Sequence, residues 1–270
     1  MIARLVSVVL LAVCSGPVWA SDASDELLRA LGIDEIIDVM RDEGLDYGAE
    51  MALDFLPGGA TQAWSEIVSQ LYNTDSMYQT VREGFADGLE GSDLTPLIAF
   101  FKAEEGQRIV ALEVSARRAM IDGDVEEAAR DVFRDLDGTD NPQVARVEPF
   151  VAANDLIEAN VAGAMNASYK FYSGLVDGGA LELSEDEIFA DVWSQEEETR
   201  ADTREWLYGF LMLAYGPLED EVVDSYVALS STPEGKAMNR ALFAGFNTMY
   251  DDLSYALGLA AAHQMRGEDL

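Results

Sequence analysis

The sequence predicts an all-α protein made of two tandem, related helical-bundle modules behind a cleaved signal peptide. Three observations carry that expectation. Short blocks recur at one fixed spacing: Trp64-Ser65 returns as Trp193-Ser194, and Glu105-Gly106-Gln107 as Glu234-Gly235-Lys236, both 129 positions later. Apolar residues step by three and four along both halves, the period of a helix with one buried face, while alternating strand patterns are nearly absent. The chain also opens on a short apolar run of the kind that directs export. The expected boundaries are 1–20 for the signal, 21–140 for the first module and 141–270 for the second.

In the signal, Arg4 supplies the positive start, residues 5–13 the apolar run, and Val18-Trp19-Ala20 a small-residue cleavage site before Ser21-Asp22. The run is too short to cross a bilayer. Cys14, the single cysteine, would be the lipidated residue of a lipoprotein, but bulky Val13 stands where that pattern wants a small residue. Cleavage near Ala20 is therefore expected over lipidation, with a periplasmic or secreted location. The exported chain then has no thiol, which removes disulfides, thiol catalysis and thiolate metal sites together. No later segment reads as a stable membrane span: residues 206–215 are too few, and 241–262 are interrupted by Asp251-Asp252.

The first module opens on Ile33, Ile37, Met40, Gly44, Tyr47, Met51 and Phe55, a row at helical spacing that places one mainly apolar face toward a core. Shifted by 120 positions, the row falls on Ala153, Ile157, Asn160, Ala164, Ala167, Phe171 and Leu175, with Asn160 its polar exception. Gly58-Gly59-Ala60 matches Gly178-Gly179-Ala180 at that same spacing of 120, so the second module has gained nine residues before its Trp-Ser pair. The insert lies in 181–189, where Ser184-Glu185-Asp186-Glu187 has the form that caps a helix start, and it reads as a loop plus an extra helical turn. The turn formers of residues 135–142 mark the seam between modules.

In the second module Trp206, Leu207, Phe210, Leu211, Leu213 and Ala214 cover nearly all sides of a helix, which places that helix centrally. Its counterpart around Met77 to Phe85 is far more polar, so the two modules are not expected to contribute equally to the core. Thr232-Pro233-Glu234 supplies a capping hydroxyl, a proline where no amide donor is needed and an acid facing the helix dipole. A helix is expected to begin at Pro233. Phe243, Phe246, Tyr250, Leu253, Leu257 and Ala260 then follow the seam spacing of a helix packed lengthwise on a neighbour.

The blocks Phe100-Phe101-Lys102-Ala103-Glu104-Glu105-Gly106-Gln107 and Leu229-Ser230-Ser231-Thr232-Pro233-Glu234-Gly235-Lys236 resemble the signature of an exported bacterial helical family catalogued as domain of unknown function 2059. The second block is the closer match; in the first, Ala103-Glu104 stands where Thr-Pro would. The resemblance implies an exported all-helical protein, and it implies no reaction, cofactor or catalytic residue. Within the motif, Gly106 and Gly235 in a first helical turn are read as permitting close helix contact. Gln107 or Lys236 is read as reaching a neighbouring carbonyl or acid.

The remaining chemistry is mostly exclusion. A formal net charge of −34 rules against nucleic acid, whose phosphates would repel it, and suits a solvated surface. His263, the single histidine, is read as an exposed tail residue, because a general base needs a positioned partner. Zinc lacks ligands. Calcium fares little better: Asp122-Gly123-Asp124-Val125-Glu126-Glu127 begins like an EF-hand loop, but Glu127 occupies the turn-glycine position, and Asp140 does the same in the series from Asp135. No cofactor and no catalytic residue are expected.

The leading expectation is a non-enzymatic protein that binds a protein partner of the cell envelope in a groove between helices, with Met51, Phe55, Phe171, Tyr172, Phe243, Phe246 and Met249 as candidate lining or plain core. The alternatives are a carrier of an apolar small ligand such as a lipid, held between the modules, and a carboxylate-dependent hydrolase with two acids in one cleft.

Overall fold

The computed structural model describes residues 18–267 apart from Pro57. Among the described residues there are thirteen helices and no strand. They are α1 (Val18–Ala30), α2 (Ile33–Phe55), α3 (Gln62–Leu71), α4 (Thr74–Gly88), α5 (Thr95–Lys102), α6 (Glu104–Ala119), α7 (Gly123–Leu136), α8 (Pro142–Asn154), α9 (Leu156–Asp177), α10 (Glu185–Trp193), α11 (Glu196–Tyr215), α12 (Asp220–Ser230) and α13 (Pro233–Met265). The export signal expected over 1–20 lies outside the described residues up to position 17, Cys14 included, and its last three residues begin α1.

Two series of six helices, α1 to α6 and α8 to α13, run in parallel order with α7 between them. In each, the first helix packs on the fourth and fifth, and the second on the third, fourth and sixth. The series also interlock: the fourth helix of each packs on the sixth of the other, α4 on α13 and α11 on α6. A left-handed residue breaks the chain between the first and second helix in both, Gly32 (φ 64°) and Asp155 (φ 51°).

Local chemistry explains the ends. Thr61 and Asn73 cap α3 and α4 by accepting from Trp64 and Ser76 amides. Ser184 and Glu187 form the reciprocal capping box of α10, so the inserted segment is a loop followed by a helix start. Thr232 accepts from the Gly235 amide at 3.0 Å, and α13 begins at Pro233 as the sequence requires. The expected seam is the loop between α7 and α8.

α13 is the spine. Its 33 residues reach about 50 Å, long enough to cross both series. Toward its start Gly245 lies against α4, where a Cβ would stand 2.7 Å from the Val81 carbonyl, and a Cβ on Gly84 would stand 2.7 Å from Gly245 Cα. Toward its end Gly258 lies against α9, where a Cβ would stand 2.1 Å from the Phe171 carbonyl. One buried apolar cluster consequently runs from Leu27 through Trp64, Phe85 and Phe101 to Leu211 and Ala262. A smaller one, Val161, Met165, Ile188 and Val192, joins α9 to α10.

Several burial expectations change. In the first row Ile33, Ile37, Met40, Gly44 and Met51 are buried, but Tyr47 and Phe55 are exposed. In the second row only Leu175 is buried, because α9 meets α13 through Gly174 and leaves Asn160 and Ala164 exposed. α4 is not the poorer helix its composition suggests: Met77, Val81 and Phe85 form a fully buried stripe against α13. α11 is central, packing on α6, α7, α8 and α9, although Leu213 is exposed. His263 is not a tail residue; it sits half-buried in the last turn of α13.

Because Gly258 meets backbone, which yields less readily than a side-chain tip, Gly258→Ala is expected to destabilise the chain by about 1–3 kcal/mol in urea unfolding. Gly123→Ala, at a helix start with nothing within 4 Å, is the control expected to be neutral or slightly stabilising.

Candidate functional site

A cavity of about 530 Å³ lies between the two series. Ile33, Ile36 and Met40 of α2 line it from the first series, and Trp206, Phe210, Leu242 and Phe246 of α11 and α13 from the second. Asn160 and Ala164, exposed residues of α9, also line it and mark where it meets solvent. A second pocket of about 430 Å³ shares Met40, Ala167 and Tyr250 with it and is lined by Phe55, Phe171 and Tyr172. Five of the seven aromatic and methionine residues singled out from sequence thus line one pocket or the other, while Met51 and Met249 are core.

Two charged residues enter the larger cavity, Glu113 and Arg117, one turn apart on α6 and so on one face. Arg117 is tied up. Its Nε and Nη2 donate to the two carboxylate oxygens of Glu43 at 2.9 and 2.8 Å, and its guanidinium lies 6.0 Å from the Trp206 ring centre. Burial works against that charge, but Tyr250 and Glu43 outweigh it and hold Arg117 protonated.

Glu113 has no such partner. Tyr215 Oη donates to its Oε1 at 2.6 Å, leaving Oε2 for whatever occupies the cavity. Burial pushes the carboxyl up to about 7, against the pull of the Tyr215 hydrogen bond. Around it Phe150, Tyr215 and Tyr226 pack together, with ring centres 4.6 Å apart for Phe150 and Tyr226 and 5.5 Å for Phe150 and Tyr215. Burial first, then the neighbouring Glu113, pushes the phenols of Tyr215 and Tyr226 well above their ordinary range, so both stay neutral. Asn154 and Asn239 are satisfied by backbone: Asn154 Nδ2 donates to the Phe150 carbonyl and Asn239 Nδ2 to that of Asn154.

The site can therefore hold an apolar body and present one carboxyl that is a proton donor in acid and an anion in base. Glu113 is the one carboxylate in its lining, so the pair of acids a hydrolase would need does not meet there. Among the described residues no cluster of three or more His, Cys, Asp and Glu side chains is placed to hold a metal. Asp122, first in the calcium-like series, caps α7 by accepting from the Asp124 amide.

The motif residues lie elsewhere, in two matching turns. The residues before α6 and α13, Ala103 and Thr232, share one backbone conformation (φ −71° in both, ψ 160° and 159°). Gly106 and Gly235 sit in matching crevices, each with the preceding helix end so close that a Cβ would stand 2.2 Å from the Phe100 carbonyl or 2.1 Å from that of Leu229. Gln107 reaches a carbonyl, donating to Ala30 at 2.9 Å. Glu105 and Lys236 are exposed, and Pro233 and Glu234 form the first turn of α13.

Sequence reasoning did not single out Glu113, Arg117, Tyr215 or Tyr226. One signal was present: at the spacing of 129, Glu113 and Arg117 fall on Leu242 and Phe246, so charge stands in one half where the other is apolar. Glu113, Arg117, Leu242 and Phe246 all line the same cavity. Comparison with family models, curated proteins and solved structures returns no match.

With its carboxyl raised from 4.5 to about 7, folded Glu113 holds its proton in a range where the unfolded chain has lost it. Its contribution to stability therefore falls as pH rises through that window, by up to about 3 kcal/mol. Urea unfolding at pH 5 and pH 8 is expected to show wild type losing that much relative to Glu113→Gln, which cannot ionise. Equal pH dependence in the two proteins would contradict the assignment.

Proposed function

We propose that the chain is an exported, non-enzymatic binding protein that carries a small, largely apolar molecule in the cavity between two related helical modules. The observation that carries this reading is the cavity, about 530 Å³ of mostly apolar lining with few converging polar groups. That size falls in the range of roughly 300–1,000 Å³ typical of small-molecule sites. Export is supported by the signal pattern of residues 1–20 and by a surface rich in acid. Descent of the halves from one unit is supported by the parallel helix order and by the matching turns at Ala103 and Thr232. The same turns support membership of the exported helical family that the motif resembles.

The cavity favours a carrier over the protein-partner reading that leads from sequence alone. One observation favours the latter: Phe189 and Trp193 of α10 are exposed and stacked with ring centres 4.2 Å apart. Trp64, at the position matching Trp193, is instead buried and donates from Nε1 to the Gly48 carbonyl at 2.7 Å.

Titration with Nile red, a neutral apolar dye, tests the carrier. Saturable, blue-shifted emission is expected from wild type, and its loss from Ala164→Trp, whose new side chain enters the cavity from an exposed rim position while circular dichroism stays unchanged. Equal emission from both proteins, or none from wild type, would overturn the reading.

A further inference from the structure

Among the groups facing the cavity, charge is unbalanced at one point. On α6, Arg117 is matched by Glu43 of α2 and bonded by Tyr250 of α13, so this cation is not available to Glu113. From α11 the group facing Glu113 is the neutral phenol of Tyr215, and from α12 that of Tyr226. The single charged side chain of α5, Lys102, is paired with Glu26 on α1. The polar residues that α8 and α13 bring to the lining, Asn154, Ser230 of the neighbouring α12, Asn239 and Asn247, carry no charge. Glu113 is thus a carboxyl that faces accessible space without a counter-ion.

Its immediate surroundings are rings. Phe150 and Tyr226 line the cavity beside it, and Phe210 and Phe246 line it further on. Aromatic faces attract a cation through their quadrupole, and they do so more strongly where water is excluded. A carboxylate among such faces is the chemistry that recognises an organic ammonium ion. The field of the whole chain acts in the same sense: at −34 it gathers cations and repels anions during approach. A fatty acid or other anionic amphiphile would bring a second negative charge to Glu113 in a site with no free cation.

We propose that the cavity selects an organic cation, a primary or substituted amine on an apolar body, with Glu113 Oε2 as its counter-ion and the rings of Phe150 and Tyr226 as its cage. This deepens the carrier reading and rests on it. Binding is linked to one proton. Where the empty site holds Glu113 as a neutral acid, the ammonium ion enters, the carboxyl proton leaves to solvent, and the bound pair is ammonium and carboxylate. No bond to carbon changes.

The test uses the full chain and three probes of one body, decylamine, decanol and decanoate, each measured by calorimetry at pH 6 and pH 8. Because Glu113 titrates near 7 in the empty site, decylamine is expected to bind about tenfold tighter at pH 8 than at pH 6. It should also bind tighter than decanol at pH 8, with decanoate weakest. At pH 6 one proton should be released per decylamine bound, seen as heat that varies with buffer ionisation. Glu113→Gln is expected to abolish both the pH dependence and the preference for decylamine. An unchanged circular-dichroism spectrum of Glu113→Gln distinguishes loss of the counter-ion from loss of the fold. Decanol binding as tightly as decylamine at pH 8, or decylamine unaffected by Glu113→Gln, would overturn the amine assignment and leave the carrier standing. Failure of all three probes to bind would overturn the carrier itself.

Discussion

Backbone contact between α13 and the helices on either side of it is the constraint on which the rest of the structure depends. Gly245 meets α4, and Gly258 meets α9, at separations that leave no room for a side chain. Helix axes brought that close let the buried side chains on both sides, Met249, Leu253 and Leu257 of α13 and Val81 and Phe85 of α4 among them, add many dispersion contacts along the spine. Since α4 belongs to the first series and α9 to the second, a single helix fixes both. Once both are fixed, α2 and α6 from one side and α11 from the other enclose a space that their own side chains do not fill.

What enters that space is set by a difference between the two series. Leu242 and Phe246 present hydrocarbon where Glu113 and Arg117 present charge, so the cavity is uncharged on the wall of α13 and ionic on that of α6. The two charges then part ways. Glu43 neutralises Arg117 through a two-point contact that also fixes the guanidinium plane near Trp206. Glu113 meets only a phenol and two rings, and burial keeps its proton on until near neutrality. A group whose charge depends on what occupies the neighbouring space is suited to recognition. The same arrangement opposes folding in base, a tension common where a polar group is kept for binding.

The helices were largely legible in the sequence because their signals are local. Thr232-Pro233 fixes the start of α13 and Ser184 with Glu187 that of α10, since capping atoms and amides lie within one turn of each other. Burial was less legible wherever a neighbour decides it. Tyr47 and Phe55 continue a buried row by spacing yet face outward, whereas the polar-looking α4 hides Val81 and Phe85 because glycines bring α13 onto it. The site was hardly legible at all. Among 51 acidic residues nothing local marks Glu113, because its character comes from burial against elements distant in the chain, with its one hydrogen-bond partner, Tyr215, about a hundred residues further along.

The central claim is that a single half-buried carboxyl, without a counter-ion, lines the cavity between the two series. It is tested most directly by following the side-chain carboxyl carbon of Glu113 by nuclear magnetic resonance as pH is raised in the ligand-free chain, with Glu113→Gln used to assign the signal. A midpoint near 7, well apart from the bulk of the glutamates, is the result this structure requires. A midpoint at the ordinary 4.5 would mean that water or a cation reaches the group freely, and it would contradict the account.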